Sequence, residues 1–357
     1  MAQPAQARLT IDLDALAHNL AVVRRDAGGA EVAPVVKADG YGLGAGAVAR
    51  RLWAEGARSF FVAQLGEAEA LREELGPARP ATVYVLDGLT GGAGPRLLAA
   101  GLTPVLCTPA QITAARAWPD RPPVALQVDT GMNRQGVTPQ DARDLAADLG
   151  GLQIGLVMSH LGSAAEPEDD RNAGQLERFR AVRALFPGSR ASLAAAAGVV
   201  LGSEYGFDMV RPGITLYGGG PQETPDPRLR AVATLTAPIL DIRLLAAGDR
   251  VGYGVGFTAQ RVMRVAIVAA GYADGVIRAA RGGGYAWFAG GRRDLVVVTM
   301  DLLAIDLDDA VAHVGDAVEL LGANALLDDL AKAAATVSHE VLVRLSRRAQ
   351  RVYLGEA

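Results

Sequence analysis

The stretch V-V-K-A-D-G-Y-G-L-G-A, from Val35 to Ala45, is the part of the sequence from which the fold and the chemistry are best predicted. It joins a short apolar run to a glycine-spaced loop, and Lys37 lies at the junction. Short apolar runs that end at glycines are typical of buried strands, so the lysine is predicted at the mouth of a sheet. A partly desolvated amine in such a place has a lowered pKa and attacks carbonyls to form Schiff bases. The alternative is a lysine whose stem merely extends from a strand end into water.

Around this stretch, short apolar runs alternate with segments of helical spacing. The eight runs that are strand candidates are Val32–Val36, Phe60–Ala63, Thr82–Leu86, Thr103–Leu106, Val124–Val128, Ile154–Ser159, Ala191–Ala195 and Met209–Leu216. Strands that alternate with helices form parallel βαβ units, and eight such units favour a closed (β/α)8 TIM barrel, with an open doubly wound sheet as the alternative. Active sites of such barrels lie at the carboxyl ends of the strands. The candidates for these positions are Lys37, Asp129, His160 and Arg211.

The pattern changes after about Pro221, where a P-Q-E-T-P-D-P linker begins. Beyond it, apolar runs are separated by glycine turns, with few helical patterns. We therefore predict an α/β chain with two domains, in which residues 8–225 form the barrel and residues 226–357 form a smaller, mainly β domain. Residues 8–20 are predicted to form a strand that leads into a helix, and residues 1–12 are candidates to pair with the C-terminal domain.

Composition narrows the class of protein. The chain has 357 residues, of which 50% are hydrophobic, enough for a large interior. Its formal net charge is −4, and no run of basic residues is long enough to bind along a phosphate backbone. Nucleic-acid binding is therefore not expected. No apolar stretch reaches the roughly 18 residues that span a bilayer, and the first residues lack a secretory signal pattern. Cys107 is the only cysteine, which excludes C-x-x-C metal sites. We therefore expect a cytoplasmic protein without a metal centre or a membrane partner.

Six segments, in order along the chain, resemble the sequence pattern of the alanine racemases. They are V-V-K-A-D-G-Y-G from Val35, D-T-G-M-N-R-Q-G from Asp129, H-L-G-S-A from His160, V-R-P-G-I-T-L-Y-G from Val210, V-G-Y-G-V-G-F-T-A from Val251 and T-M-D from Thr299. The resemblance covers nearly the whole chain. It implies a barrel-plus-β-domain fold, pyridoxal phosphate (PLP) as cofactor, and a two-base interconversion of L-alanine and D-alanine. Such a reaction supplies D-alanine for peptidoglycan or serves alanine catabolism.

The resemblance also implies roles for individual residues. Lys37 carries PLP as a Schiff base and, once substrate displaces it, acts as the base on one face. Tyr253 acts on the opposite face and comes from the neighbouring subunit, which implies a homodimer. Arg211 faces the pyridine nitrogen, and His160 links that arginine to the tyrosine. The remaining implied contacts are Arg134, Met300 and Tyr272 for the substrate, the last two again across the dimer interface, and Tyr41, Gly213 and Ile214 for the phosphate.

The phosphate site is where the sequence departs from the family pattern. The usual Ala-Asn-Ser is Ala194-Ala195-Ala196 here, and the usual Tyr-Glu is His339-Glu340. Losing two neutral hydrogen bonds would cost about 1–3 kcal/mol of cofactor affinity. A protonated His339 would offset this with a charge-assisted bond, so we expect PLP binding to depend on pH. Gln127 stands where many relatives carry a carbamylated lysine that orients Arg134, and its carbonyl is a candidate to hold that arginine directly or through an anion.

Three alternative functions follow from the same residues. A racemase of serine or other small amino acids shares the pattern, but such relatives are commonly exported, and Tyr272 with Met300 implies a tight pocket. A PLP-dependent decarboxylase shares the two-domain plan but matches V-G-Y-G and T-M-D less well. A PLP-binding paralogue without racemase turnover would explain the altered phosphate residues. The presence of both Lys37 and Tyr253 argues against it.

Overall fold

The structure, a computed structural model, describes residues 6–254 and 256–356. Residues 1–5, Val255 and Ala357 lie outside the described residues, and with them the first part of the segment 1–12 that was a candidate for pairing. The chain divides into two compact units. The barrel unit consists of Asn19–Gly40 and Gly44–Leu216, and the β unit consists of the residues up to His18, Tyr41–Leu43 and Tyr217–Glu356.

The strands are numbered in chain order, and each helix is named by its first and last residue. The strands are β1 (Arg8–Asp12), β2 (Glu31–Val32), β3 (Ser59–Val62), β4 (Thr82–Val85), β5 (Thr103–Leu106), β6 (Val124–Gln127), β7 (Ile154–Met158), β8 (Arg190–Ser192), β9 (Met209–Val210), β10 (Ala233–Leu245), β11 (Arg250–Val251), β12 (Phe257–Thr258), β13 (Met263–Val268), β14 (Tyr285–Phe288), β15 (Gly291–Val298), β16 (Leu303–Asp306), β17 (Ala317–Leu321) and β18 (Gln350–Leu354). The helices are Leu13–Asp26, Ala45–Ala54, Leu65–Leu75, Gly94–Ala99, Pro109–Arg116, Pro139–Ala147, Asp170–Ala184, Ala196–Val199, Leu327–Ala333 and Ser338–Val343. None of the helices in the described residues is both long and apolar enough to cross a membrane.

The barrel unit is a ring of parallel strands. Strands β3 to β8 pair in chain order, and β2 pairs with β9. Single parallel bridges close the ring, one from Val35 to Phe61 and one from Ala195 to Arg211. Helices connect the strands, as the alternating pattern requires. The predicted (β/α)8 barrel is therefore confirmed.

Two barrel strands are shorter than predicted because proline interrupts them. In the run Val32–Val36, Val32 and Val35 pair with neighbouring strands. The pairing is interrupted between them because Pro34 has no N–H to donate. The prediction of a strand over Met209–Leu216 is wrong in its second half, because β9 ends before Pro212 and a 3-10 turn follows at Ile214–Tyr217. These interruptions lie next to Lys37 and Gly213, so both residues lie on loops beyond the carboxyl ends of the strands.

The interior of the barrel is filled by side chains. The rings of Phe61 and Tyr84 stack with centroids 4.5 Å apart, and Cys107 and Met158 are buried in the same cluster. Burying each large apolar side chain stabilises the fold by about 1.5–3 kcal/mol. A filled barrel has no room for a ligand along its axis, so chemistry is confined to the loops at one end.

The β unit is built around one sheet with the strand order β13-β16-β15-β14-β17-β10-β1-β18. The long strand β10 also pairs with β13, which closes six of these strands into a ring. Strand β1 pairs antiparallel with β10 and parallel with β18. The helices Leu327–Ala333 and Ser338–Val343 also belong to this unit, although the sequence pattern gave little sign of them.

Candidate active site

Lys37 opens a left-handed turn at the end of the first barrel strand. The residues with positive φ are Ala38 (53°), Asp39 (56°), Gly40 (61°) and Tyr41 (57°). This conformation costs about 1–2 kcal/mol for each residue that is not glycine, so the turn needs external support. The Gly40 N–H donates to the Val36 carbonyl (3.0 Å), and the Asp39 carboxylate accepts the Ala45 N–H (2.9 Å).

The amine of Lys37 is shifted towards its reactive form. Burial lowers its pKa below the ordinary value, and the nearby charge of Arg134 lowers it further. Glu67 and Asp87 act in the opposite direction. A lowered pKa increases the unprotonated fraction of the amine, which is the form that attacks an aldehyde or accepts a proton.

Arg211 is a buried guanidinium, 4% exposed, just beyond β9. Its Nη1 donates to Ser192 Oγ (2.5 Å), and its Nη2 donates to the Ser159 carbonyl (2.6 Å) and lies 3.4 Å from His160 Nδ1. These two anchors hold the guanidinium plane. All its hydrogen bonds to the described residues run through Nη1 and Nη2, which leaves the Nε–H for a ligand.

The charge states of Arg211 and His160 differ at neutral pH. Burial, with a contribution from Arg134, lowers the pKa of Arg211 to about 9, so the guanidinium stays charged. Burial lowers the pKa of His160 to about 3, with further contributions from Arg211, Arg134 and Lys37, so the imidazole is neutral. A guanidinium only donates hydrogen bonds, hence Nδ1 of His160 accepts and its ring proton lies on Nε2.

Arg134 lies on a loop that Asp129 organises. One oxygen of the Asp129 carboxylate accepts the N–H groups of Gly131 (2.8 Å), Met132 (2.9 Å) and Asn133 (3.2 Å). The side-chain amide of Gln127 donates to the carbonyl of Gln135 (3.4 Å). Within the described residues no hydrogen bond joins Gln127 to Arg134, so the structure does not show the direct bond, and the alternative arrangement through an anion stays a prediction. The glutamine instead fixes the backbone next to the arginine.

The backbone at Gly213 and Ile214 is buried at the carboxyl end of β9. The Val35 N–H donates to the carbonyl of Pro212 (2.9 Å), which brings this loop beside the strand of Lys37. Ile214 begins a 3-10 turn, whose first N–H groups have no partner within the turn. The short helix Ala196–Val199 begins without a side-chain cap, because alanine at 195 has no polar side-chain atom.

Two further predicted residues meet within the β unit. The ring of Tyr41 stacks on Tyr217 with centroids 4.5 Å apart and lies 5.8 Å from the ring of His339. Burial raises the pKa of Tyr41 above its ordinary value, so its hydroxyl stays neutral. The neighbouring Gly42 allows this arrangement, since a Cβ there would lie 2.9 Å from the carbonyl oxygen of Leu342.

Tyr253, Tyr272 and Met300 are all exposed on the β unit. Their exposed fractions are 84%, 44% and 53%. The backbone joins two of them, because the Tyr272 N–H donates to the carbonyl of Thr299 (2.9 Å), the residue before Met300. Exposure leaves these side chains available to another molecule.

The sequence analysis missed the residues that support these side chains. Ser192 and Ser159 anchor Arg211, yet a serine within an apolar run carries no signal of such a role. Arg348 donates to Asp274 (2.8 Å from Nε) and also pairs with Asp301, so it ties together the loops that carry Tyr272 and Met300. The pairing of distant charges in a loop-rich region is not visible from one sequence.

Comparison with known proteins points to one family. The family model for the alanine racemase N-terminal domain matches residues 11–221, and the model for its C-terminal domain matches residues 232–353. The alanine racemase of Methylobacterium nodulans is 43% identical over 98% of this chain and 96% of its own length. Two alanine racemases of Agrobacterium fabrum, named biosynthetic and catabolic, are 40% and 38% identical, over 99% and 98% of this chain and 95% and 92% of their own lengths.

A solved structure agrees with this result. Alanine racemase from Bartonella henselae, with covalently bound pyridoxal phosphate, has a TM-score of 0.92 and 33% identity to this chain. The match covers 98% of this chain and 100% of that one. The two matching domain families, the sequence identity over the whole length and the shared fold show that the chain belongs to the alanine racemase family of amino-acid racemases.

Proposed function

We propose that this chain interconverts L-alanine and D-alanine with PLP bound at Lys37. The observation that carries the proposal is the pair of groups in the barrel unit, an amine with a lowered pKa and a buried guanidinium with a free Nε–H. The covalently bound PLP of the Bartonella henselae relative supports the choice of cofactor. When bound, PLP supplies a conjugated ring that accepts the electron pair left when the α-proton of an amino acid is removed.

The residues of the barrel unit fit this group chemically. Lys37 would hold its aldehyde carbon, and the Nε–H of Arg211 would donate to its ring nitrogen. Because Arg211 stays protonated near neutral pH, it does not pass a proton to that nitrogen. Charge therefore remains near the substrate carbon, where a proton returns quickly, and this favours racemisation over transamination.

The two proton-transfer groups are proposed to come from two subunits. The amine of Lys37 removes or returns the α-proton on one face, and the Tyr253 hydroxyl of a partner subunit does so on the other. The exposure of Tyr253, Tyr272 and Met300 supports a homodimer in which these side chains are covered by the partner. Arg134 would hold the substrate carboxylate, and His160 would orient Arg211 through its neutral Nδ1.

The phosphate of PLP is proposed to be held by neutral and charged donors. The Tyr41 hydroxyl and the N–H groups of Gly213 and Ile214 would donate to it. His339 would take the place of the tyrosine that the family pattern has at its position. Its ring lies 5.8 Å from that of Tyr41, which supports a shared role for the two side chains.

The test of this function is D-alanine production from L-alanine with saturating PLP. We expect the wild-type chain to produce D-alanine and Lys37→Ala to lose at least about 10³-fold of the rate, since it removes both the cofactor anchor and a proton-transfer group. Lys332→Arg, at the second lysine of the sequence, should keep full activity. Failure of a folded, PLP-loaded dimer to racemise alanine would contradict the proposal, and serine and other small amino acids would then be the substrates to assay.

A further inference from the structure

The carboxylate of Glu67 joins two parts of the barrel unit. Glu67 is the third residue of helix Leu65–Leu75, and its Oε2 accepts the N–H groups of Ala63 (2.8 Å) and Gln64 (3.1 Å). Its Oε1 accepts the N–H of Ala38 at 2.7 Å, a residue 29 positions away. Ala38 directly follows Lys37 and is the first residue of the left-handed turn.

The contact with Ala38 is not needed to cap the helix. A capping box uses one side-chain acceptor for the backbone N–H at the start of the helix, and Oε2 already fulfils that role. The hydrogen bond that Oε1 accepts from the Ala38 N–H instead stabilises the left-handed conformation of Ala38, which is costly for alanine. A carboxylate is suited to both tasks because its two oxygens accept hydrogen bonds on separate sides.

The charge of Glu67 also acts on the lysine. It raises the pKa of Lys37, as Asp87 does, while burial and Arg134 lower it. His160 carries no charge near neutral pH and does not alter this balance. Loss of the Glu67 charge would therefore lower the pKa of Lys37 further.

We propose that Glu67 is a positioning residue for Lys37, which fixes the left-handed turn to the adjacent helix through the Ala38 N–H. This inference rests on the proposed function of Lys37. In Glu67→Gln a single amide oxygen remains as acceptor. Two N–H groups, of Ala63 and Gln64, face one carboxylate oxygen and only that of Ala38 faces the other, so we expect the amide oxygen to stay with the pair and Ala38 to lose its acceptor. Glu73→Gln removes the same charge from an exposed position of the same helix and is the matched control.

The sequence allows a direct measurement on the unloaded protein. Lys37 and Lys332 are the two lysines, and an alanine follows each of them. Protein labelled with 13C-carbonyl lysine and 15N-alanine therefore gives two signals in an amide-detected NMR experiment, from Ala38 and Ala333. Labelling at the lysine ε-carbon similarly gives two titration curves, and Lys332→Arg assigns them.

We expect hydrogen exchange of the Ala38 amide to be about 10-fold faster or more in Glu67→Gln, with Ala333 unchanged. We also expect the pKa of Lys37 to fall in this variant, and neither effect in Glu73→Gln. If the exchange rate of the Ala38 amide or the pKa of Lys37 were the same in Glu67→Gln as in Glu73→Gln, Glu67 would be a helix cap alone. The proposal would then be overturned.

A second variant keeps the test decisive if Glu67→Gln does not fold. Glu67→Asp retains the charge on a shorter side chain, so Ala38 should exchange faster while the pKa of Lys37 stays nearer the wild-type value. Unchanged exchange in Glu67→Asp would overturn the proposal. Because neither readout uses PLP or alanine, a failed racemase assay would not be confused with a failed positioning role.

Discussion

His339 is the single residue whose identity most alters the proposed cofactor site. It lies on helix Ser338–Val343, next to the buried ring of Tyr41. The neighbouring Glu340 is paired with Arg344 and Thr336, so its charge is partly satisfied elsewhere. An imidazole differs from a tyrosine hydroxyl in one respect that can be measured, because it gains a proton and a positive charge near pH 6.5.

This difference predicts that the affinity for PLP falls as the pH rises from about 6 to 8. Protonated histidine gives a charge-assisted bond to phosphate, and neutral histidine gives a weaker one, which corresponds to about 5–10-fold in the dissociation constant. Fluorescence titrations of the apo protein with PLP across this range measure the effect. In His339→Tyr the histidine contribution should disappear, whereas His313→Gln, at an exposed histidine of the same unit, should retain it. An identical pH dependence in His339→Tyr and the wild type would contradict the role.

The segment Tyr41–Leu43 acts as a small structural element of the β unit. Tyr41 stacks on Tyr217, Gly42 lies against the backbone of Leu342, and the carbonyl of Leu43 accepts the Tyr353 hydroxyl at 2.8 Å. Gly42 is the part of the segment with the least freedom to change. Its φ is +80°, and an added Cβ would meet Leu342 oxygen at 2.9 Å and Val343 Cα at 3.2 Å.

We therefore predict that Gly42→Ala lowers the thermal unfolding midpoint by more than Gly28→Ala does. Gly28 also has a positive φ, of +60°, but nothing lies within 4 Å of an added Cβ, so it reports the backbone strain alone. That strain is worth about 1–2 kcal/mol, and the contact with Leu342 adds to it at position 42. Calorimetry on the apo proteins gives both values. Equal shifts would mean that the segment moves away from helix Ser338–Val343 without cost.

The sequence predicted elements that depend on local pattern and missed those that depend on packing. Short apolar runs located the barrel strands, and Lys37 and Arg211 were placed beyond them. The sequence pattern does not predict the left-handed conformation of Ala38 and Asp39, because neither residue prefers it. The conformation is stabilised by hydrogen bonds with residues outside the turn. The helix Ser338–Val343 was missed for a similar reason, since six residues carry too little periodicity to be recognised.

At the scale of the whole molecule, the β unit exposes the side chains that are proposed to act in a neighbouring subunit. Tyr253 is 84% exposed on a glycine-rich segment. If it acts on the opposite face of the substrate in a neighbouring subunit, no monomer holds a complete set of proton-transfer groups. The homodimer would then be a condition for catalysis and would not merely stabilise the fold.

Subunit mixing tests this arrangement. Homodimers of Lys37→Ala and of Tyr253→Phe should each be inactive, since each lacks one of the two proposed proton-transfer groups. A mixed dimer would contain one site with both changes and one site with neither. After random exchange of subunits at equal concentrations we expect about a quarter of the wild-type activity to return. If exchange is confirmed by mass spectrometry and no activity returns, the two groups act within one subunit and the shared site is wrong.

The contact between Leu43 and Tyr353 joins residues that are 310 positions apart. Ribosomes add about 5–20 residues per second, so roughly 15–60 s pass between the synthesis of the two. The interval is somewhat longer for strand β1, whose Arg8 pairs with Gln350 of its parallel neighbour β18. The residues that follow Lys37 are thus among the first to emerge from the ribosome and among the last to be packed.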